Sequence, residues 1–355
     1  VQFWLTEAQY AFAFFGILAI LLFAPWIHAQ YRRFGGMRGW PAVVSAATVL
    51  YGCALIAFTL FPLPDFSGTF CSRREDLTYW QTTPFASLDD IVLYAQDHSF
   101  LQTLASDALL QVVMNVVFFV PLGILVAYRW RRSLWVALLA SFGMSLAIEL
   151  TQGTGLWGLA PCPYRLADVD DLLTNTLGGV VGWFIGLACR RLLPDPAPAP
   201  LPDLVPPSLR RRLLSAVIDA FVYVVVLLGI LVADEILAEA PDRGTLPFSA
   251  ISVGVTLLLF VAVPAVRRRR STFGAATVML VQVRADERSA GLTALLVVWA
   301  LRWLPIALIG LAALPIVLAI DGVVAWRRGD GRSLVEVVAG LRVVTEQQRE
   351  AATRL

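Results

Sequence analysis

Residues 141–184 read SFGMSLAIELTQGTGLWGLAPCPYRLADVDDLLTNTLGGVVGWF, and they set carboxylates and amides beside or inside apolar helical runs, where ionisable groups are expensive and usually functional. Ser141, Ser145, Glu149 and Gln152 step by four, four and three residues, while Asp168, Asp171, Asn175, Gly178 and Gly182 step by three, four, three and four. Each set therefore forms one face of a helix. Two polar stripes then face each other, and glycines at 178 and 182 in small-xxx-small spacing let the second helix approach a neighbour closely.

Around this stretch the chain is 58% hydrophobic and 15% charged over 355 residues, which excludes an ordinary soluble domain and fits a polytopic membrane protein. The formal charge of +2 is too small to suggest nucleic acid, and the basic residues sit at the ends of apolar runs, as topology signals do. All 28 of them are arginine, so lysine chemistry is excluded. His28 ends the first apolar run, His98 lies in a polar loop, and neither has a metal-ligand spacing.

The first apolar run, AFAFFGILAILLFAPWI, is long enough to span and lacks a secretory cleavage site, so it reads as a retained span. Arg32, Arg33 and Arg38 place the next loop in the cytoplasm and the N-terminus outside. A second span, about Ala42 to Phe61, leads to a long loop up to Thr103. That loop carries Cys71 and the acids Asp65, Glu75, Asp76, Asp89, Asp90 and Asp97. Ser87 followed by Leu-Asp-Asp reads there as the N-cap of a short amphipathic helix. A third span, from Asp107 to Ala127, bears a third polar stripe of Asp107, Gln111 and Asn115. It ends at Arg129, Arg131 and Arg132. The fourth span, Leu134 to Leu150, rises outward and is followed by a short loop with Cys162 and Arg165. The fifth descends to Arg190 and Arg191, so all three stripes meet near the outer leaflet.

A proline-rich tract, PDPAPAPLPDLVPP, then marks a domain boundary. Beyond Arg210, Arg211 and Arg212 come a span from Leu213 to Val232, an acidic loop with Asp234, Glu235, Glu239 and Asp242, and a span from Ala250 to Val266. The latter ends at four arginines, 267 to 270, which read as topology plus anionic-lipid contact. TVMLVQVRAD, within residues 272–286, predicts a small cytoplasmic β-hairpin. The apolar tract from Gly291 to Trp326 is 36 residues long, about 54 Å as one helix against a hydrocarbon core of roughly 30 Å. It reads as two short helices broken near Pro305 or Pro315, which returns the C-terminus inside. The expected fold class is therefore an all-α polytopic membrane protein. A five-span helical bundle over 1–193 and a proline-rich cytoplasmic linker over 194–209 precede a smaller helical bundle over 210–346 with its β-hairpin, and a polar tail occupies 347–355.

Several motifs in one order carry a resemblance. Thr83-Pro84-Phe85, Asn115-Val-Val-Phe-Phe-Val-Pro-Leu-Gly123, Ser145 to Glu149 with Gln152, and then Arg165, Asp168, Asp170-Asp171, Asn175, Gly178 and Gly182 resemble the VanZ-like family over about residues 40 to 190. The resemblance implies a bacterial envelope protein whose namesakes lower susceptibility to glycopeptide antibiotics of the teicoplanin type. The second half is similar to the RDD family, named for one arginine and two aspartates. Arg211 or Arg212 would be its arginine, Asp219 its first aspartate, and Arg302 a later member, while Glu336 stands where the second aspartate is expected. A transport role is what that resemblance implies.

Glu149, Asp168, Asp170 and Asp171 against Arg165 leave a formal −3, and two carboxylates ~5 Å apart repel by roughly 3 kcal/mol at an effective dielectric of 20. Such a cluster needs a proton, a metal or a cationic ligand. Asp170 falls off the stripe and reads equally as an acid favoured at a helix start. Glu149, Asp168 and Asp171 are the candidate catalytic residues and the candidate ligands of a divalent cation, Mg or Ca, whose shell a phosphate would complete. Asn115, Gln152, Arg165 and Asn175 are the candidate substrate-binding residues. The first function class is recognition or processing of a polyprenyl-phosphate-linked cell-wall precursor at the outer leaflet. The alternatives are a non-enzymatic module that shields such a precursor or senses the glycopeptide antibiotic, and a proton-coupled transporter. Membrane lipids are the expected surroundings in every case. No P-loop, dinucleotide fingerprint, GxSxG elbow or zinc motif occurs.

Two pairings are expected. Cys71 and Cys162 both fall in outer loops, on the oxidising side, and should form a disulfide over the polar cluster. In the second half, an aspartate in mid-helix needs a partner, and Asp219 is expected to pair with Arg302.

Overall fold

The computed structural model describes residues 2–60, 63, 66, 70–72, 79–238, 247–286 and 288–352, with side chains at residue 9 and from residue 12 onward. Asp65, Glu75, Asp76, Glu239 and Asp242 lie outside these residues. The chain is an all-α polytopic membrane protein: eight of its described helices are long and apolar enough to cross a membrane. It divides into two compact units, Val1–Leu22 with Gly39–Pro198, and Phe23–Arg38 with Ala199–Leu355.

Unit 1 is built on α1 (Gln2–Phe34, of which the first part belongs here), α2 (Gly39–Leu60), α3 (Ala86–Asp97), α4 (Phe100–Leu104), α5 (Asp107–Arg129), α6 (Leu134–Gly153) and α7 (Val169–Leu192). Ser106 starts α5 by accepting the Leu109 N–H at 3.3 Å, and Asp168 starts α7 by accepting that of Asp170 at 2.8 Å. Both satisfy donors that a helix start otherwise leaves orphaned. Arg190 and Arg191 close α7, where cations suit the helix dipole. The end of α5 widens into a π turn at Leu125–Arg129, and the Arg190 Nε donates to the Ala127 carbonyl there at 2.7 Å.

Helices α5 and α7 pack backbone against backbone. A Cβ at Gly178 would lie 2.2 Å from the Val116 carbonyl oxygen, and one at Gly182 would lie 2.0 Å from that of Val120. Only glycine permits that approach, and it brings the polar faces of the two helices together. Leu55, Phe119, Leu122, Val126 and Ala137 form the apolar core beneath them.

Unit 2 takes the last turns of α1 and then α8 (Leu209–Ala238), α9 (Phe248–Val266), α10 (Phe273–Thr277), α11 (Leu292–Ile309), α12 (Ala313–Arg327), α13 (Leu334–Val338) and α14 (Glu346–Ala352). The apolar tract does split into two helices, but the break falls at Gly310, whose φ of 100° is open to glycine and closed to most other residues. Pro305 and Pro315 instead sit in the first turns of α11's last segment and of α12, where proline is tolerated.

The expected hairpin is corrected as well. The strand at Leu280–Arg284 exists, but its antiparallel partner along its length is Leu341–Thr345, while the chain that follows it returns only as an isolated bridge between Val283 and Ser289 before α11. Residues 346–352 form α14, and Arg269 pairs with Glu346 while Arg349 donates to Ser289 at 2.8 Å. Residues 199–208, proline-rich and irregular, are held to unit 2 by Leu201, whose N–H donates to the Phe34 carbonyl at 2.7 Å, and by Asp203, which pairs with Arg211 at 3.2 Å.

Candidate functional site

At one end of unit 1 a two-residue strand, Trp80–Gln81, pairs in parallel with Ala167–Asp168 just before α7. A disulfide joins Cys71 to Cys162 at the same end. These links hold the long loop against the start of α7, where the carboxylates collect.

The stripe on α6 faces inward. Ser141 and Ser145 are 0% exposed, Glu149 4% and Gln152 7%. Glu149 Oε2 accepts the Asp168 N–H at 2.9 Å, and Arg165 acts on the same carboxylate through space. Asp168 in turn caps α7 and receives the Gln81 amide at 3.4 Å. Burial raises the Asp168 carboxyl above its ordinary value; the Asp170 N–H bond opposes the shift, while the Asp170 and Asp90 charges add to it.

Two residues further, Asp170 does something the sequence left open. Its two oxygens accept the N–H groups of Phe85 at 2.6 Å and Ser87 at 2.8 Å, so it caps α3 from across the fold. Ser87 is therefore not the N-cap. That position belongs to Phe85, in the left-handed region at φ 67° and with no capping side chain of its own.

Asp171 lies deeper. It accepts Asn115 Nδ2 at 2.5 Å and is also reached by Gln111, while its carbonyl accepts the Ser145 hydroxyl at 3.3 Å. Asn175 Nδ2 donates to that same hydroxyl at 2.9 Å. The polarity continues one turn inward, where Asn175 Oδ1 and Ser141 Oγ are buried with no hydrogen-bond partner among the described residues. Such orphaned atoms are rare in native interiors and call for water or a ligand.

Five of the seven candidates thus form one network over α5, α6 and α7, with Arg165 beside it. It is made of two hydrogen-bonded groups, Glu149 with Asp168, and Asp171 with Asn115 and, through Ser145, Asn175. The two groups are coupled through the charges of Glu149, Asp168 and Asp171. Gln152 does not join them. Its amide donates to the Thr59 carbonyl at 2.7 Å and, with the Tyr164 hydroxyl on Leu60 at 3.3 Å, closes the end of α2.

The expected divalent-cation set is Glu149, Asp168 and Asp171. Among the described residues no group of three or more His, Cys, Asp or Glu is placed to hold a metal. Glu149 and Asp168 turn oxygens toward backbone N–H groups, and Asp171 turns one toward an amide.

Unit 2 has its own cleft, lined among others by Arg212, Asp219, Arg302, Asp321 and Glu336. Arg212 pairs with Glu336 at 3.2 Å, and Arg211 instead donates to the Val278 carbonyl at 2.8 Å. The expected Asp219–Arg302 pair is not formed. Asp219 accepts the Thr272 hydroxyl and the Gly274 N–H, both at 2.6 Å. This contact exists because a Cβ at Gly274 would sit 2.0 Å from the Ser215 carbonyl, so only glycine brings α10 near enough. Arg302, on the π turn of α11, faces α12 and pairs with Asp321, its Nε at 3.1 Å from Oδ2. Sequence reasoning passed over Asp321, although a lone acid in the apolar run of α12 was the signal.

Fold and site together define a multi-pass membrane protein with a hydrogen-bonded carboxylate network inside its first bundle. Residues 48–190 match the family model described as VanZ/LLP1, and that stretch contains every residue of the network. No curated protein and no solved structure matches the chain.

Proposed function

We propose that unit 1 recognises the head of a polyprenyl-phosphate-linked cell-wall precursor at the membrane boundary and so contributes to glycopeptide resistance of the teicoplanin type. The observation that carries this reading is the charge of the network. Glu149, Asp168, Asp170 and Asp171 face N–H and amide donors, with Arg165 as a neighbouring cation and, among the described residues, no assembled metal set. An acceptor-rich site of formal charge −3 disfavours a bare phosphate and favours hydroxyl, amide and ammonium donors. Those groups belong to the sugar and peptide of such a precursor, with the phosphate lying outside the network. Recognition is favoured over chemistry because the Asp168 and Asp170 carboxylates are already spent on capping helices.

The orientation in which the Cys71–Cys162 end faces outward accompanies this reading, since disulfides persist in oxidising compartments. Unit 2 we read as an RDD-like partner, because Arg212, Asp219, Arg302 and Glu336 line one cleft.

The test is binding to the full-length protein in nanodiscs. A polyprenyl-linked glycopeptide precursor should bind at least tenfold more tightly than polyprenyl phosphate alone, and equal affinities would overturn the reading. A second reading, proton-coupled transport, is favoured by the polar column that runs inward from Asp171 through Ser145 and Asn175 toward Ser141. Proton flux in liposomes that is abolished by Glu149→Gln would replace the first reading with the second.

A further inference from the structure

No residue of α3 or α4 is buried, yet these helices are not polar. Leu88, Ile91, Val92 and Ala95 fall on one face of α3, and Asp89, Asp90, Gln96 and Asp97 fall on the other, with Leu93 the exception. Phe100 and Leu101 in α4 are 75% and 76% exposed. Trp157 and Leu159, in the connection between α6 and α7 at the same end of unit 1, are also exposed. A row of apolar side chains this open, facing water, would be an aggregation surface.

Three features select the occupant. Leu104 ends α4 two residues before Ser106 caps the span α5, so the exposed face continues the apolar surface of a membrane-crossing helix. Aromatic residues at the ends of spans, here Trp80, Phe100 and Trp157, suit the boundary between acyl chains and headgroups. The opposite face of α3 is acidic, which turns it to water and gives anionic lipid no attraction. The usual interfacial helix is basic and recruited by charge, whereas this one is tethered by its neighbouring span and needs only apolar burial.

We infer that α3 and α4 lie in the plane of the membrane boundary, with Leu88, Val92, Phe100 and Leu101 among the acyl chains, and that they flank a lateral route from the bilayer to the carboxylate network. The coupling between ledge and network is Asp170, which holds the Phe85 and Ser87 N–H groups and so fixes the start of α3 from the first turn of α7. The route, though not the embedding, rests on the reading of the network as a site for a lipid-linked head.

The experiment uses the full chain with Cys53→Ala and Cys189→Ala and with the disulfide intact, in phosphatidylcholine nanodiscs. Leu101→Cys and Asp97→Cys each carry an environment-sensitive fluorophore. Shallow spin-labelled lipid should quench the Leu101→Cys reporter at least threefold more than the Asp97→Cys reporter, and aqueous iodide should show the reverse order, unchanged by added anionic lipid. Equal quenching of both by iodide would overturn the embedding, as would shielding of the Leu101→Cys reporter from both quenchers with crosslinking to a second copy or another protein. For the route, Phe100→Asp with Leu101→Asp should slow association of the lipid-linked precursor at least fivefold. An unchanged rate overturns the route and leaves the embedding standing. Embedding without any precursor binding by the unmodified chain leaves the ledge standing and removes both the route and the reading of the network.

Discussion

In unit 2 the buried carboxylates of Glu336 and Asp321 each face a guanidinium, while in unit 1 Glu149, Asp168, Asp170 and Asp171 face backbone N–H groups and amides. The formal charge follows. Arg212 and Arg302 against Asp219, Asp321 and Glu336 give +2 − 3 = −1 along the cleft of unit 2, whereas four carboxylates against Arg165 give −4 + 1 = −3 in unit 1. Ion pairs that neutralise themselves join helices. Carboxylates held by neutral donors have no counter-charge of their own, so a proton or a ligand has to balance them.

The comparison breaks most readily at Asp321. It pairs with Arg302 and also receives the Val335 N–H at 3.3 Å, so Asp321→Asn leaves a buried guanidinium without its counter-charge. We expect a loss of about 3 to 5 kcal/mol, read as a lower melting temperature in detergent, with Arg302→Met and Asp321→Leu together recovering most of it. Unchanged melting in the single variant would show that the pair does not hold unit 2.

Reduction of the disulfide should act on the other unit alone. The Cys71–Cys162 bond closes a separation of 91 residues, and such closures contribute about 2 to 4 kcal/mol. Hydrogen exchange under reductant should quicken at residues 80–97 and 165–170 and stay constant along 209–238. Equal quickening in both units would contradict the division.

A third contrast uses glycines in two membrane helices. Gly182→Ala drives a Cβ into the Val120 carbonyl of α5, whereas Gly229 in α8 has nothing within 4 Å of the same position. The first should cost about 1 to 3 kcal/mol. Gly229→Ala should be neutral or gain up to about 1 kcal/mol from helix propensity. Similar melting of the two variants would remove the close approach on which the polar faces of α5 and α7 depend.

What the sequence disclosed follows from the range of each interaction. The spans were legible because hydrophobic runs and arginine clusters are local, and the stripes were legible because helical period places their residues on one face. Partners across the fold were not. Asp170 caps a helix 83 residues away from its own position, at Ser87, and nothing near Ser87 reveals that its N–H is taken from outside. Arg302 and Asp219 looked like partners because each was isolated in its helix, yet the close approach at Gly274 satisfied Asp219 with neutral donors and left Arg302 to Asp321. The strand at 280–284 carried a correct local signal, while its partner at 341–345 lies beyond α11, α12 and α13.

The smallest expected effect is the sharpest test, because Asp170 and Asp171 are neighbours with different work. Asp170 spends both oxygens on the Phe85 and Ser87 N–H groups. Asp170→Asn keeps one acceptor and loses the other, which should cost about 1 kcal/mol, the usual value of a helix cap, and quicken hydrogen exchange at the start of α3. Asp171 receives Asn115 Nδ2, and Asp171→Asn preserves that acceptor while removing one charge from a cluster that repels itself. It should therefore melt at or above the temperature of the unmodified chain and lose affinity for the lipid-linked head at least tenfold, since sites often sacrifice stability for function. If Asp171→Asn binds normally at normal stability, the negative charge of unit 1 has no ligand to serve, and the two units differ only in how they pack.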